Sequence, residues 1–291
     1  MARSSLQPAQ PLPKRIMIPL LARVRRQFLL GALGASPFFL VDSDAASLAG
    51  HPVSPGGTLD MQFPLNNYFQ QYAARGGNPR PTTGHALLFF PQGFDPARSW
   101  PILIISSTTD FNCTSIQDAP WYREAATKEG WIVFATDATI QPREDSLPWR
   151  LAILTAGLQM LRDNWPQSAQ WPIAFAGLSG GAKRSGILAS MLAANRGLRI
   201  CGLFLAGISA DRVTAGYKDY QPPADFLNVP IWISSGMNDQ VATVGAQENV
   251  YYSLKRTGFK QVRLERFFGA HTLKRAEIQR ALQWFRQVGK F

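Results

Sequence analysis

From residue 85 to the end of the chain, short apolar runs alternate with longer stretches whose apolar residues recur at helical spacing. His85-Ala-Leu-Leu-Phe-Phe90 opens the series, and the turn-rich Pro91 to Trp100 links it to Pro101-Ile-Leu-Ile-Ile-Ser106. Trp131-Ile-Val-Phe-Ala135, Ile173 to Ala176, Cys201 to Ala206, Pro230-Ile-Trp-Ile-Ser-Ser235 and Val262 to Phe268 follow. All are read as strands, and Ile173 to Ala176, a short apolar run bounded by Pro172 and Gly177, predicts one buried on both faces of a parallel sheet. Helices are predicted between them over Ala119 to Glu129, Ser146 to Asn164, Ala182 to Asn195, Val244 to Thr257 and Leu273 to Gln287. In the second of these, Ser146 suits the cap and Pro148 the first turn, while Leu151, Leu154, Leu158, Leu161 and Trp165 form one apolar stripe. Strand and helix in regular alternation predict an α/β fold, a doubly wound, mostly parallel sheet with helices on both faces.

The pattern is weaker before residue 85. Residues 50–84 are rich in Pro, Gly, Asn and Gln, and predict an extended arm lying on the domain, with a short helix near Leu65 to Ala74. Residues 1–49 read as an export signal. Arg23-Val-Arg-Arg26 precedes an apolar stretch from Phe28 to Val41 that is too short to span a bilayer, and Ser47-Leu-Ala49 offers a small-x-small cleavage site. Arg25-Arg26-Gln-Phe-Leu resembles the twin-arginine signal of bacteria, with Met17 as an alternative start and an uncleaved anchor as the competing reading. The organisation expected is an export signal over 1–49, an arm over 50–84 and one catalytic domain over 85–291, and the exported protein is expected in the periplasm or outside the cell with no further membrane association.

Composition narrows the chemistry. The chain has 291 residues, 46% of them hydrophobic and 17% charged, enough for one sizeable core. Of its net charge of +11, +4 comes from Arg3, Lys14, Arg15, Arg23, Arg25 and Arg26 against Asp42 and Asp44, which leaves +7 for the remainder. These charges are spread along helix surfaces without a nucleic-acid-binding motif, so no nucleic-acid partner is expected. Cys113 and Cys201 fall at opposite rims of a parallel sheet, which predicts no disulfide. With only His51, His85 and His271 and no CxxC, the chain presents no metal-ligand cluster, and no cofactor is expected.

The candidate chemistry centres on Gly177-Leu-Ser-Gly-Gly181, which lies between a predicted strand and a predicted helix. A G-x-S-x-G turn in that context holds its serine in a strained conformation, and glycines two positions to either side leave room for strand and helix. A Gly-rich packing turn is the bland reading. A phosphate loop is excluded by the spacing of Gly177, Gly180, Gly181 and Gly186. In doubly wound sheets, sites form at the carboxyl ends of strands. Asp239 and His271 follow the last two strands, so Ser179, Asp239 and His271 lie in the order of an acyl-transfer triad, with Asp211 as the reserve acid. Each of the three has a structural explanation when taken alone. Together they place a nucleophile, a base and the carboxylate that orients the base at three strand ends. An oxyanion hole requires two N–H groups, expected from Gly180 and from Thr108, with Thr109 as the alternative.

On these motifs, with Gly236-x-x-Asp239-x-Val241, the chain resembles the α/β-hydrolase superfamily from Ala86 to Phe291. Phe90-Pro-Gln-Gly-Phe-Asp-Pro-Ala-Arg-Ser-Trp-Pro-Ile-Leu-Ile-Ile105 is similar to the entry to the core sheet of secreted esterases akin to feruloyl esterases, acetylxylan esterases and polyhydroxyalkanoate depolymerases. The resemblance implies a Ser179/Asp239/His271 triad. The His-Gly usual after that strand is replaced here by Ser107-Thr108, and Lys183-Arg184 in the elbow helix is also unusual. Only about twenty residues, Gly207 to Asn228, are available where relatives insert a lid, so little or no lid is expected. The function expected is a serine hydrolase that cleaves small-molecule or polymer-linked carboxylic esters. A peptidase or acyltransferase on the same triad, or a non-catalytic binding protein on the same fold, are the alternatives. The sequence leaves the acyl and alcohol specificity and the oligomeric state open.

Overall fold

Residues 46–194 and 198–291 are described by a computed structural model of the chain. The predicted export segment therefore lies outside the described residues apart from its last four. Those four are held by the domain. Ser47–Leu48 (β1) pairs antiparallel with His51–Pro52 (β2), Leu48 is fully buried, and the indole of Trp165 donates to the Ser47 carbonyl at 2.9 Å.

The sheet begins earlier than the sequence pattern suggests. Within the expected extended arm, residues 58–64 form a strand of the main sheet, β3 (Thr58–Pro64), whose side chains alternate between solvent and core, with Leu59, Met61 and Phe63 buried. This period of two is the mark of a half-buried strand, and the glycines and prolines around it hide it in the sequence. Helix α1 (Asn67–Ala73) follows, capped by the Asn66 side chain, within the stretch where a short helix is expected. Next come β4 (Thr83–Phe89), β5 (Ile102–Ser106), α2 (Ser115–Asp118), α3 (Pro120–Lys128), β6 (Ile132–Ala138), α4 (Leu147–Asn164) and β7 (Ile173–Leu178). The chain ends through α5 (Gly180–Ala193), β8 (Ile200–Ala206), α6 (Arg212–Tyr220), β9 (Ile231–Gly236), α7 (Val244–Thr257), β10 (Val262–Phe267) and α8 (Arg275–Gly289).

Eight strands form one sheet in the order β10-β9-β8-β7-β5-β6-β4-β3. All neighbours are parallel except where β4 pairs with β3 and β6. The strands β5, β7, β8 and β9 are buried almost throughout, as their continuous apolarity predicts. On one face α3 and α8 pack together over Leu103, Val133, Ala174, Phe204 and Trp232, and α8 contributes Ile278, Ala281, Leu282 and Phe285. Each large apolar side chain fully buried in this way contributes about 2 kcal/mol. Helices α4 and α5 cover the other face. The predicted caps form: Ser146 Oγ accepts from Trp149 N at 3.2 Å, and Pro148 lies in the first turn of α4.

Between β8 and β9 the chain forms only α6 and a single 3-10 turn, Ala224–Asn228, and α6 packs on α5 and α7. No lid is evident among the described residues. Cys113 is exposed and Cys201 buried, and neither is bonded to the other. No described helix is long and apolar enough to cross a membrane.

Candidate active site

Ser179 sits between the end of β7 and the start of α5 with φ 58° and ψ −116°. Positive φ is uncommon for a residue with a side chain, and this ψ lies outside the left-handed helical well adopted by Gln221 and Lys290. A strained residue of this kind persists only where its surroundings fix it, at a cost of order 1–3 kcal/mol. The surroundings here are backbone. A Cβ on Gly177 would overlap the Gly181 backbone, and a Cβ on Gly181 would overlap the Ser106 carbonyl of β5. The Ser179 N–H is held by Ala206 O of β8 at 2.9 Å. Strand, turn and helix thus meet at a separation that only glycine permits, and the half-buried serine is lifted above the carboxyl edge of the sheet.

Asp239 and His271 come from the loops after β9 and β10. The two loops are laced together, with Met237 N donating to Phe267 O and Asn238 N to Gly269 O, both at 2.9 Å. His271 Nδ1 lies 2.7 Å from Asp239 Oδ2, with the carboxylate almost fully buried and the imidazole one-fifth exposed. The other carboxylate oxygen accepts the N–H groups of Val241 and Ala242, each at 2.8 Å. Burial acts to raise the carboxyl pKa, but the His271 bond and the two N–H groups outweigh it and hold Asp239 below the usual carboxylate value. The imidazole lies over Gly207 at the end of β8, where a Cβ would stand 2.7 Å from His271 Cε1. Gly207 directly follows Ala206, the partner of Ser179. The three candidate residues are therefore gathered on adjacent strand ends. Among the described residues Ser179 Oγ makes no hydrogen bond, so the serine–imidazole contact that a proton transfer needs is not closed in this state. The reserve acid, Asp211, is instead the cap of α6, with Oδ1 accepting from Thr214 N at 2.9 Å.

The loop after β5 lies against the elbow. A Cβ on Gly180 would stand 2.7 Å from Thr108 Cγ2. Its neighbouring N–H groups are already used, since Ser107 N donates to Ser115 Oγ at 3.2 Å and Thr109 N to Cys113 O at 3.4 Å. Among the described residues the N–H groups of Thr108 and Gly180 have no protein partner. Between the two alternatives left by the sequence, Thr108 is the one with a donor to spare.

What holds this loop is a buried ionic network that the sequence reading misses. Asp110 meets Arg150 of α4 at 3.4 Å and Arg184 of α5 at 3.1 Å, and its N–H donates to Asp145 Oδ1 at 2.7 Å. Arg184 also pairs with Asp145, and Arg150 with Asp137 of β6, each at 2.7 Å, while Arg150 donates in addition to the Thr136 carbonyl. Burial raises the Asp110 pKa despite both arginines. For Arg150, burial is outweighed by Asp110 and Asp137, which raise its pKa and keep it charged. The unusual arginine of the elbow helix is thus explained, since it ties the helix that follows Ser179 to the loop that carries Thr108.

No family model matches the chain, and no curated protein matches it. Solved structures do. A lidless α/β serine hydrolase from Xanthomonas campestris superposes with a TM-score of 0.56 at 16% identity, over 81% of this chain and 97% of the other. A hyperthermophilic esterase from the archaeon Pyrobaculum calidifontis gives 0.55 at 15%, over 81% and 84%. A thermostable carboxylesterase from a metagenomic library gives 0.55 at 15%, over 81% and 90%. At this identity the likeness is one of fold, and the fold is that of the α/β hydrolases.

Proposed function

We propose that this chain, with its α/β-hydrolase fold, is a serine hydrolase that cleaves carboxylic esters through Ser179, His271 and Asp239. The observation that carries the reading is the 2.7 Å pairing of His271 with a buried, ionised Asp239 beside a strained serine at the carboxyl edge of the sheet. A serine hydroxyl is a poor nucleophile until a neutral imidazole takes its proton. With Nδ1–H donated to Asp239, the lone pair of His271 is confined to Nε2, the nitrogen available to Ser179 Oγ. Attack of Oγ on the ester carbonyl forms a bond to carbon and moves the Ser179 proton to His271. The tetrahedral oxyanion is received by the N–H groups of Gly180 and Thr108. Collapse expels the alcohol, which takes the proton from His271. Water, deprotonated by the same imidazole, then releases the acid and restores Ser179.

The surroundings support substrates that are bulky or carried on a polymer. The rim beside the triad is open and apolar, with Phe268 81%, Val241 68% and Met237 54% exposed on the same loops that carry Asp239 and His271. The solved structures it resembles include several described as esterases, which supports ester cleavage, and one described as a putative dipeptidyl aminopeptidase, which keeps amide cleavage as the second reading. The leader supports action outside the cytoplasm, to be checked by fractionation and sequencing of the mature terminus.

The test is turnover of p-nitrophenyl acetate and butyrate by the purified protein and by Ser179→Ala. Turnover that the substitution removes from a folded protein is the expected result. Turnover that survives it would assign the reaction elsewhere. Assays with an anilide, and with an added alcohol as acyl acceptor, separate peptidase and acyltransferase activity from hydrolysis.

A further inference from the structure

Beside the elbow lies a cavity of about 300 Å³, lined by Asp145, Ser146, Leu147, Arg150, Lys183, Arg184, Ile187 and Arg212. Lys183 and Ile187 stand one turn apart on one face of α5, the helix that begins directly after Ser179. The Lys183 N–H donates to Ser179 O at 3.3 Å.

The charges in this cavity are sorted. In the buried network Arg150 and Arg184 are balanced by Asp110, Asp137 and Asp145, yet only the last of these carboxylates lines it. Asp110 and Asp137 instead line a separate cavity, with His85, Phe111 and Trp149. Asp145 is committed to Arg184 and to the Asp110 N–H. Lys183 and Arg212 make no ion pair or side-chain hydrogen bond among the described residues. Arg150, only 3% exposed, lines the same cavity with its Nη2 unpartnered. The amino end of α4 opens onto it at Ser146–Leu147 and adds positive potential, whereas that of α6, beside Arg212, is capped by the Asp211 carboxylate. Lys183 is half-buried and Arg212 exposed, so one cation is partly desolvated and the other can swing onto a ligand. Leu147 and Ile187 provide an apolar wall between them.

We propose that this cavity, on the helix that begins after Ser179, is a subsite for an anionic group on the substrate, a carboxylate on the same molecule as the scissile ester and received by Lys183 and Arg212. The inference rests on the hydrolase reading for its link to turnover, but the site itself requires only that the cavity bind a carboxylate. A strongly hydrated cation such as the lysine ammonium, set against an apolar wall and the amino end of α4, favours a short aliphatic acid over a neutral chain of equal length.

The experiment uses matched esters. For the acyl side, p-nitrophenyl hexanoate is compared with mono-p-nitrophenyl adipate; for the alcohol side, butyl acetate is compared with the acetate ester of 4-hydroxybutanoate. Background hydrolysis is subtracted throughout. The expected result is that the carboxylate member of one pair is preferred by about tenfold or more in kcat/KM, as losing a charge-assisted contact would imply. The double variant Lys183→Met/Arg212→Met brings that ratio close to one, and added salt lowers it in the wild type. Because the comparison is a ratio within each variant, a general loss of activity does not mimic the effect, and circular dichroism checks the fold.

Calorimetric titration with adipate, in wild type and double variant, supplies a readout that needs no turnover. Adipate binding that the double variant weakens about tenfold supports the subsite even where no ester is cleaved, and only the hydrolase reading falls in that case. Ester turnover without a carboxylate preference in either pair, together with adipate binding that is absent or unchanged in the double variant, overturns the subsite and leaves the hydrolase reading standing.

Discussion

Asp239 Oδ2 lies 2.7 Å from His271 Nδ1, although the residues are 32 positions apart and come from loops after different strands. The carboxylate is held at both oxygens, one by the imidazole and one by the N–H groups of Val241 and Ala242. Such a carboxylate cannot rotate away from the imidazole without losing two charge-assisted bonds. Asp239→Asn leaves the shape intact but offers an amide that suits the wrong imidazole tautomer. The expected outcome is a fall in kcat of about 10³–10⁴ with KM little changed, read from ester kinetics.

The same pairing fixes the sign of one pH dependence. Asp239 is held below the usual carboxylate pKa, so its contribution to stability is present above the unfolded value of about 3.9 and is lost as pH falls through the folded one. Acid unfolding monitored by circular dichroism is expected to be shallower in Asp239→Asn.

Asp118 has the opposite sign. Burial, and secondarily the charge of Asp137, push its pKa up to about 6 against the pull of Arg150. A raised carboxyl stabilises the fold fully below the unfolded value and loses that contribution as pH rises through about 6. At neutral pH the ionised Asp118 is therefore a cost. Asp118→Asn is expected to raise stability at pH 7.5 by about 1 kcal/mol and to show little gain at pH 4, measured by denaturant unfolding at the two values.

Gly177 and Gly181 give a fourth prediction. Alanine at either position must displace backbone rather than a movable side chain. Each variant is expected to lose about 2 kcal/mol or more and to lose turnover with it, as thermal unfolding and an ester assay would show. A fully stable, fully active Gly181→Ala would contradict the close approach of α5 to β5.

Arg184 is expected to act through position rather than contact. It bridges Asp110 and Asp145 and so holds the loop that carries Thr108. Arg184→Lys keeps the charge but not the fork that reaches both carboxylates. With a neutral ester, Arg184→Lys and Arg184→Met are both expected to lower kcat by about tenfold to a hundredfold with a smaller change in KM, because a displaced oxyanion donor weakens only the transition state. Recovery of full kcat in Arg184→Lys would show that charge alone suffices.

The central strands could be read in the sequence because each is a continuous apolar run closed by Gly, Pro or a charged residue, as in Ile102–Ser106 and Ile231–Gly236. The strand β3 escaped because its signal is alternation, Leu59, Met61 and Phe63, set among turn-forming residues. Helix α6 escaped because its nine residues bury only one large apolar side chain, Val213. Ser179, Asp239 and His271 were legible for a simple reason: a parallel sheet brings residues that follow different strands to one edge, so order along the chain becomes proximity in space. The role of Arg184 was not. Its partners Asp110 and Asp145 lie on loops whose meeting depends on how α4 and α5 pack, and local spacing carries no trace of that.

The account stands most directly on whether Ser179 is an activated nucleophile. A fluorophosphonate probe reacts only with such a serine, whatever the natural substrate. The measurement is labelling of the purified protein, with the site located by peptide mass spectrometry, alongside Ser179→Ala and His271→Ala. The account predicts labelling at Ser179 in the wild type and none in either variant. A folded wild-type protein that takes no label, or takes it elsewhere, would contradict it and leave the hydrolase fold serving as a binding module.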